Sequence, residues 1–261
     1  MSEAGVGELF NYPLLLFALT LIAMGVSVHA GALLGRTVQL VQDHDKSEHM
    51  VVITNASLGL LALIIGFSFS MAVSRYDQRK NYEEEEANAI GTEYVRADLL
   101  QEADAAAVRQ LLIQYLGQRL VFYVSHDLQQ LEAVDRETAR LEAEMWSAVQ
   151  RSARADPTPP VALAVSGMND ALNRQSYTQA AWWNRIPYGA WMLMVALAVV
   201  CNLLIGYIAH DMGPLSLTVL PFLVAVSFFL IADIDSPRHG VIRVVPRNLL
   251  SLEQSLHAAP K

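Results

Sequence analysis

The stretch that decides the fold runs from Gly59 to Leu99 and reads GLLALIIGFSFSMAV followed by SRYDQRKNYEEEEANAIGTEYVRADL. The first part contains only apolar and small residues. The second part starts with three basic residues and continues with four consecutive glutamates. Neither part contains proline, the residue that most strongly breaks a helix. The pattern therefore predicts one uninterrupted helix that crosses a membrane and then leaves it.

The composition is that of a membrane protein. Of the 261 residues, 53% are hydrophobic and only 17% are charged, which is too apolar for an ordinary soluble domain of this size. The net charge of -8 argues against nucleic acid as a partner. The sequence has no phosphate-binding loop, CxxC pair, HExxH or GxSxG motif, so we expect no enzymatic activity, no catalytic residue and no cofactor other than a divalent cation.

Four segments are long enough to cross a bilayer as helices. They are Pro13–Leu34, Met50–Val73, Tyr188–Ile208 and Pro214–Ile234. The predicted organisation is a transmembrane hairpin in residues 1–74, a helical domain in 75–185, a second hairpin in 186–236 and a tail in 237–261. The predicted fold class is an all-α membrane protein with four transmembrane helices and a cytoplasmic helical domain inserted between the second and the third.

The distribution of basic residues predicts the orientation. One side carries Arg75, Arg79, Lys80, Arg174, Arg185, Arg238, Arg243 and Arg247. The other side carries only Arg36 and Lys46. Because basic residues accumulate on the cytoplasmic side of membrane helices, we expect both termini and the insert to be cytoplasmic, with the protein in a bacterial inner membrane.

The insert has the periodicity of amphipathic helices. Apolar positions recur at steps of three and four residues in three series: Ala87, Ile90, Tyr94 and Ala97; Val108, Leu111, Tyr115, Arg119 and Phe122; Leu131, Val134, Thr138, Leu141, Met145 and Ala148. The stretch DPTPP at Asp156–Pro160 must interrupt the helices. A further helix is expected from Val161 toward Gln179.

The four glutamates Glu83–Glu86 span a full helical turn and cannot all face one partner. One interpretation is a solvated helix face. The other is a ring of carboxylates at the mouth of a pore, formed by the symmetry of an oligomer. In that case Glu83 and Glu86 would attract cations to a vestibule, and Arg75 and Arg79 would oppose them.

Two stretches carry a resemblance to a known family. They are RYDQRK with EEEEANAIGTEYVRADLL after the second span, and IADIDSPRHGVIRV after the fourth. With the four spans and the helical insert, they resemble the bacterial bestrophin-like family, also called domain of unknown function 4239. This family is more distantly similar to the bestrophins, which are pentameric ion channels with cytoplasmic termini. The resemblance implies a homo-oligomer, with a pentamer favoured, whose partners are lipid and small inorganic ions.

The resemblance also implies a pore lined by the second span. The bestrophin neck has bulky apolar residues at four-residue steps on that helix, and Leu61, Ile65 and Phe69 have this spacing here. An ordinary packed helix face has the same pattern. The opposite stripe contains Asn55, Gly59, Ala62, Gly66 and Ser70, whose small residues permit close helix packing. If the two faces are exchanged, Asn55 and Ser70 become the pore-lining groups.

The end of the fourth span departs from the bestrophin pattern. Bestrophins carry a Pro-Phe-Gly turn followed by acidic residues that help to bind calcium, whereas here Asp233 and Asp235 precede the turn SPRHG. Two carboxylates are too few for calcium, which prefers six to eight oxygen ligands. They could cap the helix end, pair with Arg238, or join Glu83–Glu86 in a metal site between subunits.

The sequence thus favours an oligomeric ion channel of the inner membrane. The alternative is a non-conducting membrane scaffold or sensor whose cytoplasmic helices bind a partner.

Overall fold

The computed structural model describes residues 12–38 and 44–258, and within these ranges the secondary structure is entirely helical. The α-helices of the described residues are α1 Pro13–Val38, α2 His44–Arg96, α3 Glu102–Val124, α4 Leu128–Ala155, α5 Pro159–Trp183, α6 Tyr188–Ile208, α7 Pro214–Asp235 and α8 Arg247–Ala258. A short 3-10 helix, Ala97–Leu99, follows α2.

The hydropathy prediction is confirmed, because four of these helical segments are long and apolar enough to cross a membrane. The prediction of an unbroken second helix is also confirmed: α2 runs for 53 residues from His44 to Arg96. We call Met50–Val73 the apolar half of α2 and Tyr76–Arg96 its charged half.

The first compact unit comprises the described residues of 1–75 and 185–243. In this unit α1 packs against both α6 and α7. The backbones of α1 and α6 touch: a Cβ atom on Gly31 would lie 2.0 Å from the carbonyl oxygen of Leu203, and one on Gly206 would lie 1.9 Å from that of Val28. Only glycine fits at these positions, as is common where helices pack closely in a membrane. The chain's single cysteine, Cys201, is buried in α6.

The second compact unit comprises the described residues of 76–184 and 244–261. Its hydrophobic core is built mainly by α3, α4 and α5, and α8 from the predicted tail contributes Leu249. The periodicity of α4 is confirmed, since all six residues of its predicted face are buried. The break at DPTPP is also confirmed: α4 ends at Ala155 and α5 begins at Pro159.

Candidate functional site

The apolar half of α2 is unusually exposed. Only 11% of the most apolar window of this helix is buried, compared with 33% to 39% in the other three candidate spans. Its buried face is narrow and includes Thr54, Leu61, Ser68 and Ala72. The rest of this half therefore needs lipid or other protein to cover it.

The predicted neck residues lie along a groove between α2 and α7. Leu61, Ile65 and Phe69 line this apolar cavity of about 530 Å³, together with residues of α7 such as Leu220 and Val224. Leu61 is only 2% exposed, whereas Phe69 is 41% exposed. Assembly of several copies can only reduce exposure. Leu61 therefore has almost no surface to offer to a pore in this conformation, which corrects the prediction for that residue.

The opposite stripe of α2 is open. All five of its residues are exposed, although Ala62 and Gly66 also line the edge of the groove against α7. A Cβ atom on Gly59 or Gly66 would meet no atom within 4 Å. The close helix packing predicted for this stripe therefore does not occur within one copy of the chain. Of the two faces considered for the pore, the stripe with Asn55 and Ser70 has the free surface.

Asp235, at the end of α7, is held by donors from the same compact unit. Its carboxylate accepts hydrogen bonds from the backbone N–H of Ile186, at 3.1 Å and 3.3 Å. Arg75 approaches it to 3.6 Å and Arg185 to 3.8 Å. Burial lowers the pKa of the Arg185 guanidinium, and the charge of Asp235 opposes this effect. The carboxylate thus ties the end of α7 to the middle of α2 and to the chain that enters α6.

Asp233 has a separate role at the same helix end. Its two oxygens accept hydrogen bonds from the backbone N–H groups of Val241, at 2.7 Å, and Ile242, at 2.9 Å. The intervening turn folds back so closely that a Cβ atom on Gly240 would lie 2.3 Å from the Asp233 carbonyl oxygen. This explains why the stretch SPRHG contains a glycine.

These contacts give the two aspartates a structural role other than a helix cap, because the free backbone groups at the end of α7 are carbonyls and a carboxylate donates no hydrogen bond to them. Both carboxylates already accept backbone hydrogen bonds, and the described residues contain no group of three or more His, Cys, Asp or Glu side chains placed to hold a metal ion. A metal site at Asp233 and Asp235 would need ligands from elsewhere and remains a prediction.

One face of the charged half of α2 is buried in its own unit. Arg79 is 1% exposed, and its Nε donates to the carbonyl oxygen of Ala181 at 3.3 Å. Glu83, also 1% exposed, lies at the first turn of α8. Its carboxylate accepts from the backbone N–H groups of Asn248 and Leu249, both at 2.9 Å, and from the Asn248 side chain at 2.7 Å. A carboxylate at a helix N-terminus satisfies free N–H groups and complements the helix dipole.

Glu86 is the centre of a buried polar network. Its carboxylate forms an ion pair with Arg119, and both side chains are 0% exposed. It also accepts hydrogen bonds from the hydroxyls of Thr178, at 2.9 Å, and Tyr123, at 3.3 Å. Burial and the nearby Glu86 charge raise the pKa of the Tyr123 hydroxyl. Burial lowers the pKa of Arg119, but Glu86 more than compensates, so this guanidinium stays charged.

These positions correct the predicted vestibule. Glu83, Glu86 and Arg79 are buried within one copy of the chain, so they cannot face a water-filled vestibule in this conformation. Arg75 is half-buried against Asp235. Of the four glutamates, only Glu84 is exposed, and Glu85 pairs with Arg174.

Sequence reasoning missed the burial of Glu93 and the buried polar contacts of Arg119 and Thr178 with Glu86. A signal was present for two of them. Glu93 lies on the face of α2 that contains Ile90 and Ala97, and Arg119 belongs to the predicted apolar series of α3. A charged residue at a core position is rarely left without a partner. The partner of Arg119 lies 33 residues away in the sequence, which no local pattern reveals.

The four long apolar helices define a multi-pass helical membrane protein. Residues 18–249 match the family described as the Bestrophin-like domain. Because this match covers most of the chain, the protein belongs to the Bestrophin-like family, and the resemblance inferred from the sequence is confirmed. No curated protein matches the sequence significantly.

Solved structures agree in fold. A bacterial Bestrophin homolog from Klebsiella pneumoniae, solved by Zn-SAD phasing, is 14% identical with a TM-score of 0.61, over 92% of this chain and 98% of that one. A mutant of a Klebsiella pneumoniae Bestrophin homolog is 12% identical with a TM-score of 0.67, over 91% and 97% of the two chains.

Proposed function

We propose that this protein assembles as a homo-oligomeric ion channel of the bacterial inner membrane, and that ions pass along the exposed stripe of α2. The observation that carries the proposal is the exposure of this helix, of whose apolar window only 11% is buried. Membership of the Bestrophin-like family supports the channel class. A symmetric ring with five copies is the assembly that the family resemblance favours.

The polar groups of the stripe support the proposed pathway. Asn55 and Ser70 lie on the exposed side of a helix that is otherwise rich in Leu, Ile and Phe. Within the described residues, no group forms a hydrogen bond with the Asn55 amide. A polar side chain left in hydrocarbon is unfavourable, and such residues usually face other helices or a water-filled path. A pore along this stripe would hydrate both side chains.

The proposed selectivity rests on exposed charges rather than on Glu83 and Glu86. In the charged half of α2, the exposed ionisable side chains include Asp77, Lys80 and Glu84. Their sum, two negative charges and one positive, is a net charge of -1 per copy. We expect a modest preference for cations that fades as salt rises, because exposed charges are screened beyond about 10 Å at 0.1 M.

The channel test uses purified protein in liposomes. Asn55→Leu is expected to lower the conductance, because it replaces a polar group of the pathway with a bulky apolar one. Ile53→Leu is the matched control, since Ile53 is 52% exposed on another face of the same helix and is already apolar. Mass measurement in mild detergent checks the assembly.

Two results would contradict the proposal. If the unmutated protein carries no current across a range of voltages and salts, the non-conducting scaffold becomes the better interpretation. If Asn55→Leu and Ile53→Leu behave alike in a conducting protein, the stripe is not the pathway.

The proposed topology has its own test. Reporter fusions at Asp104 and after the last residue are both expected to report the cytoplasm, given the bias of basic residues to that side. A periplasmic signal from either fusion would overturn the arrangement with cytoplasmic termini and insert.

A further inference from the structure

Glu93 is a buried carboxyl group without a hydrogen-bond partner. Its side chain is 0% exposed, and neither carboxyl oxygen accepts a hydrogen bond from any residue that the structure describes. The group points from α2 toward α5 at Gly167. A Cβ atom on Gly167 would lie 2.1 Å from Oε2 of Glu93, so α5 leaves a space that the carboxyl group fills.

Two charged side chains act on Glu93, those of Arg96 and Asp170. Arg96, one turn further along α2, approaches the same point, since its Nη1 would lie 2.6 Å from a Gly167 Cβ. It forms no ion pair with Glu93 within the described residues. Asp170 lies one turn further along α5 and repels a negative charge on Glu93. Two further charges line a cavity beside Gly167, Glu85 and Arg174, and they pair with each other.

A buried carboxylate without donors is unfavourable, because desolvation opposes the charged form. Burial raises the pKa of Glu93 to about 8; Arg96 lowers it and Asp170 raises it. The group therefore carries a proton at neutral pH while the surrounding helices stay packed.

The cavity beside Gly167 gives protons and water a path to this group. It has a volume of about 300 Å³, and its lining includes Gly167, Arg96 and Asp170 together with the polar side chains of Asn88 and Thr92. Gly167 and Arg96, the two residues against the carboxyl group, are thus also walls of the cavity. A small opening of α5 at Gly167 would bring Glu93 into contact with water and with Arg96.

We propose that Glu93 is a proton-binding site that couples protonation to the packing of α5 against the charged half of α2. With the proton bound, the neutral carboxyl group sits under Gly167 and α5 is closed. When the proton leaves, the carboxylate draws water and Arg96 toward it, and α5 opens locally. The site does not depend on whether the protein conducts ions.

The direction of the pH effect follows from the raised pKa in the closed state. An open, hydrated glutamate titrates near 4.5, whereas the closed one titrates near 8. Relative to the open state, the closed state has its full stability at pH values below the open-state pKa of 4.5. It loses this stability as the pH rises toward the closed-state pKa of about 8. Between these values the equilibrium constant for opening should rise about tenfold per pH unit, and it should level off above them.

Hydrogen exchange of the full-length protein in detergent measures this opening. We expect the α5 amides around Gly167 to lose protection between about pH 6 and pH 8, after correction for the intrinsic pH dependence of exchange. Glu93→Gln, which cannot titrate, should flatten the profile. Glu84→Gln is the matched control on the same helix, because Glu84 is exposed, and it should leave the profile unchanged.

Infrared spectroscopy reads the proton directly. A band of a protonated carboxyl group should be present at about pH 6, disappear as pH rises past 8, and be missing in Glu93→Gln. Asp170 is exposed, so Asp170→Asn should fold. It should move the midpoint of the carboxyl band to lower pH, because it removes a negative charge that raises the pKa of Glu93. This variant provides the test if Glu93→Gln fails to fold. The proposal is overturned if no carboxyl band near this midpoint responds to either substitution, or if the exchange profile of α5 is the same with and without Glu93.

Discussion

The two halves of α2 reverse the usual relation between polarity and burial. The apolar half exposes Leu60, Leu63 and Phe67, each at least 50% exposed. The charged half buries Glu83, Glu86 and Glu93 almost completely. In the first half the surrounding medium is itself apolar, so burial within the chain gains little. In the second half Glu83 and Glu86 are buried beside hydrogen-bond donors. Glu93 is the exception, because no described residue donates a hydrogen bond to it.

Exposure must therefore be judged against the surroundings of each half of α2, which are lipid for the apolar half and protein or water for the charged half. An exposed leucine in a membrane span is ordinary, whereas an exposed asparagine there points to a function. A buried glutamate outside the membrane stays charged when it has an ion-pair partner or hydrogen-bond donors. Without them, burial raises the pKa of its carboxyl group. The following predictions test this contrast in order of expected effect.

The largest effect is expected from Arg119→Met. It leaves the Glu86 carboxylate buried without its ion-pair partner, which typically costs about 3 to 5 kcal/mol. Thermal unfolding of the purified protein, followed by tryptophan fluorescence, measures the loss. The double variant Arg119→Met with Glu86→Leu should recover part of it, because the unpaired charge is gone. Equal stability of Arg119→Met and the unmutated protein would mean that the pair is not buried as described.

The packed spans should respond to a single methyl group. Gly31→Ala places a Cβ atom against the Leu203 carbonyl oxygen, and the overpacking should cost about 1 to 3 kcal/mol. Gly25→Ala on the same helix is the control, since nothing lies within 4 Å of its Cβ position. The melting temperature should fall for the first variant only. A similar fall for both would show that the α1–α6 contact is not the cause.

A smaller and local effect is expected from Glu83→Ala. It removes the carboxylate that caps α8, and loss of a helix cap typically costs about 0.5 to 2 kcal/mol. Hydrogen exchange should increase within Arg247–Ala258, while the core of α3 and α4 stays protected. Glu84→Ala is the control because its side chain is exposed. Unchanged exchange in α8 would exclude a capping role for Glu83.

The smallest effect on stability is expected from Gly66→Leu. Its Cβ atom would meet no atom within 4 Å and leucine forms helix better than glycine, so the free energy of unfolding should stay unchanged or rise by at most about 1 kcal/mol. The same substitution should nevertheless alter the conductance or the oligomer mass, because it enlarges the exposed stripe of α2. A variant with unchanged stability, mass and current would place Gly66 against lipid instead.

Much of the fold is readable from the sequence. Hydropathy locates the spans, and the absence of proline from Gly59–Leu99 predicts the continuity of α2. The buried face of α4 follows from its three- and four-residue steps. These features depend on short-range patterns, so one sequence is sufficient to find them.

The partners of individual side chains were less readable. Glu83 and Glu86 looked like solvated or pore-facing groups, since a charge run usually lies in water. Their burial depends on Asn248 and Arg119, which lie far away in the sequence. Likewise, glycine spacing drew attention to Gly59 and Gly66, although the backbones meet at Gly31 and Gly206. Composition shows that close contacts exist, but not which helices make them.

The burial of Cys201 makes this protein a convenient background for chemical labelling. It is the chain's only cysteine and is 0% exposed, so thiol reagents should react slowly with the unmutated protein. A cysteine introduced at Asn55, Gly59 or Ser70 would then be the one readily reactive thiol. Charged methanethiosulfonate reagents react with thiols in water and not in lipid. Their reaction rates along α2 would therefore distinguish a hydrated path from a lipid-facing surface, one position at a time.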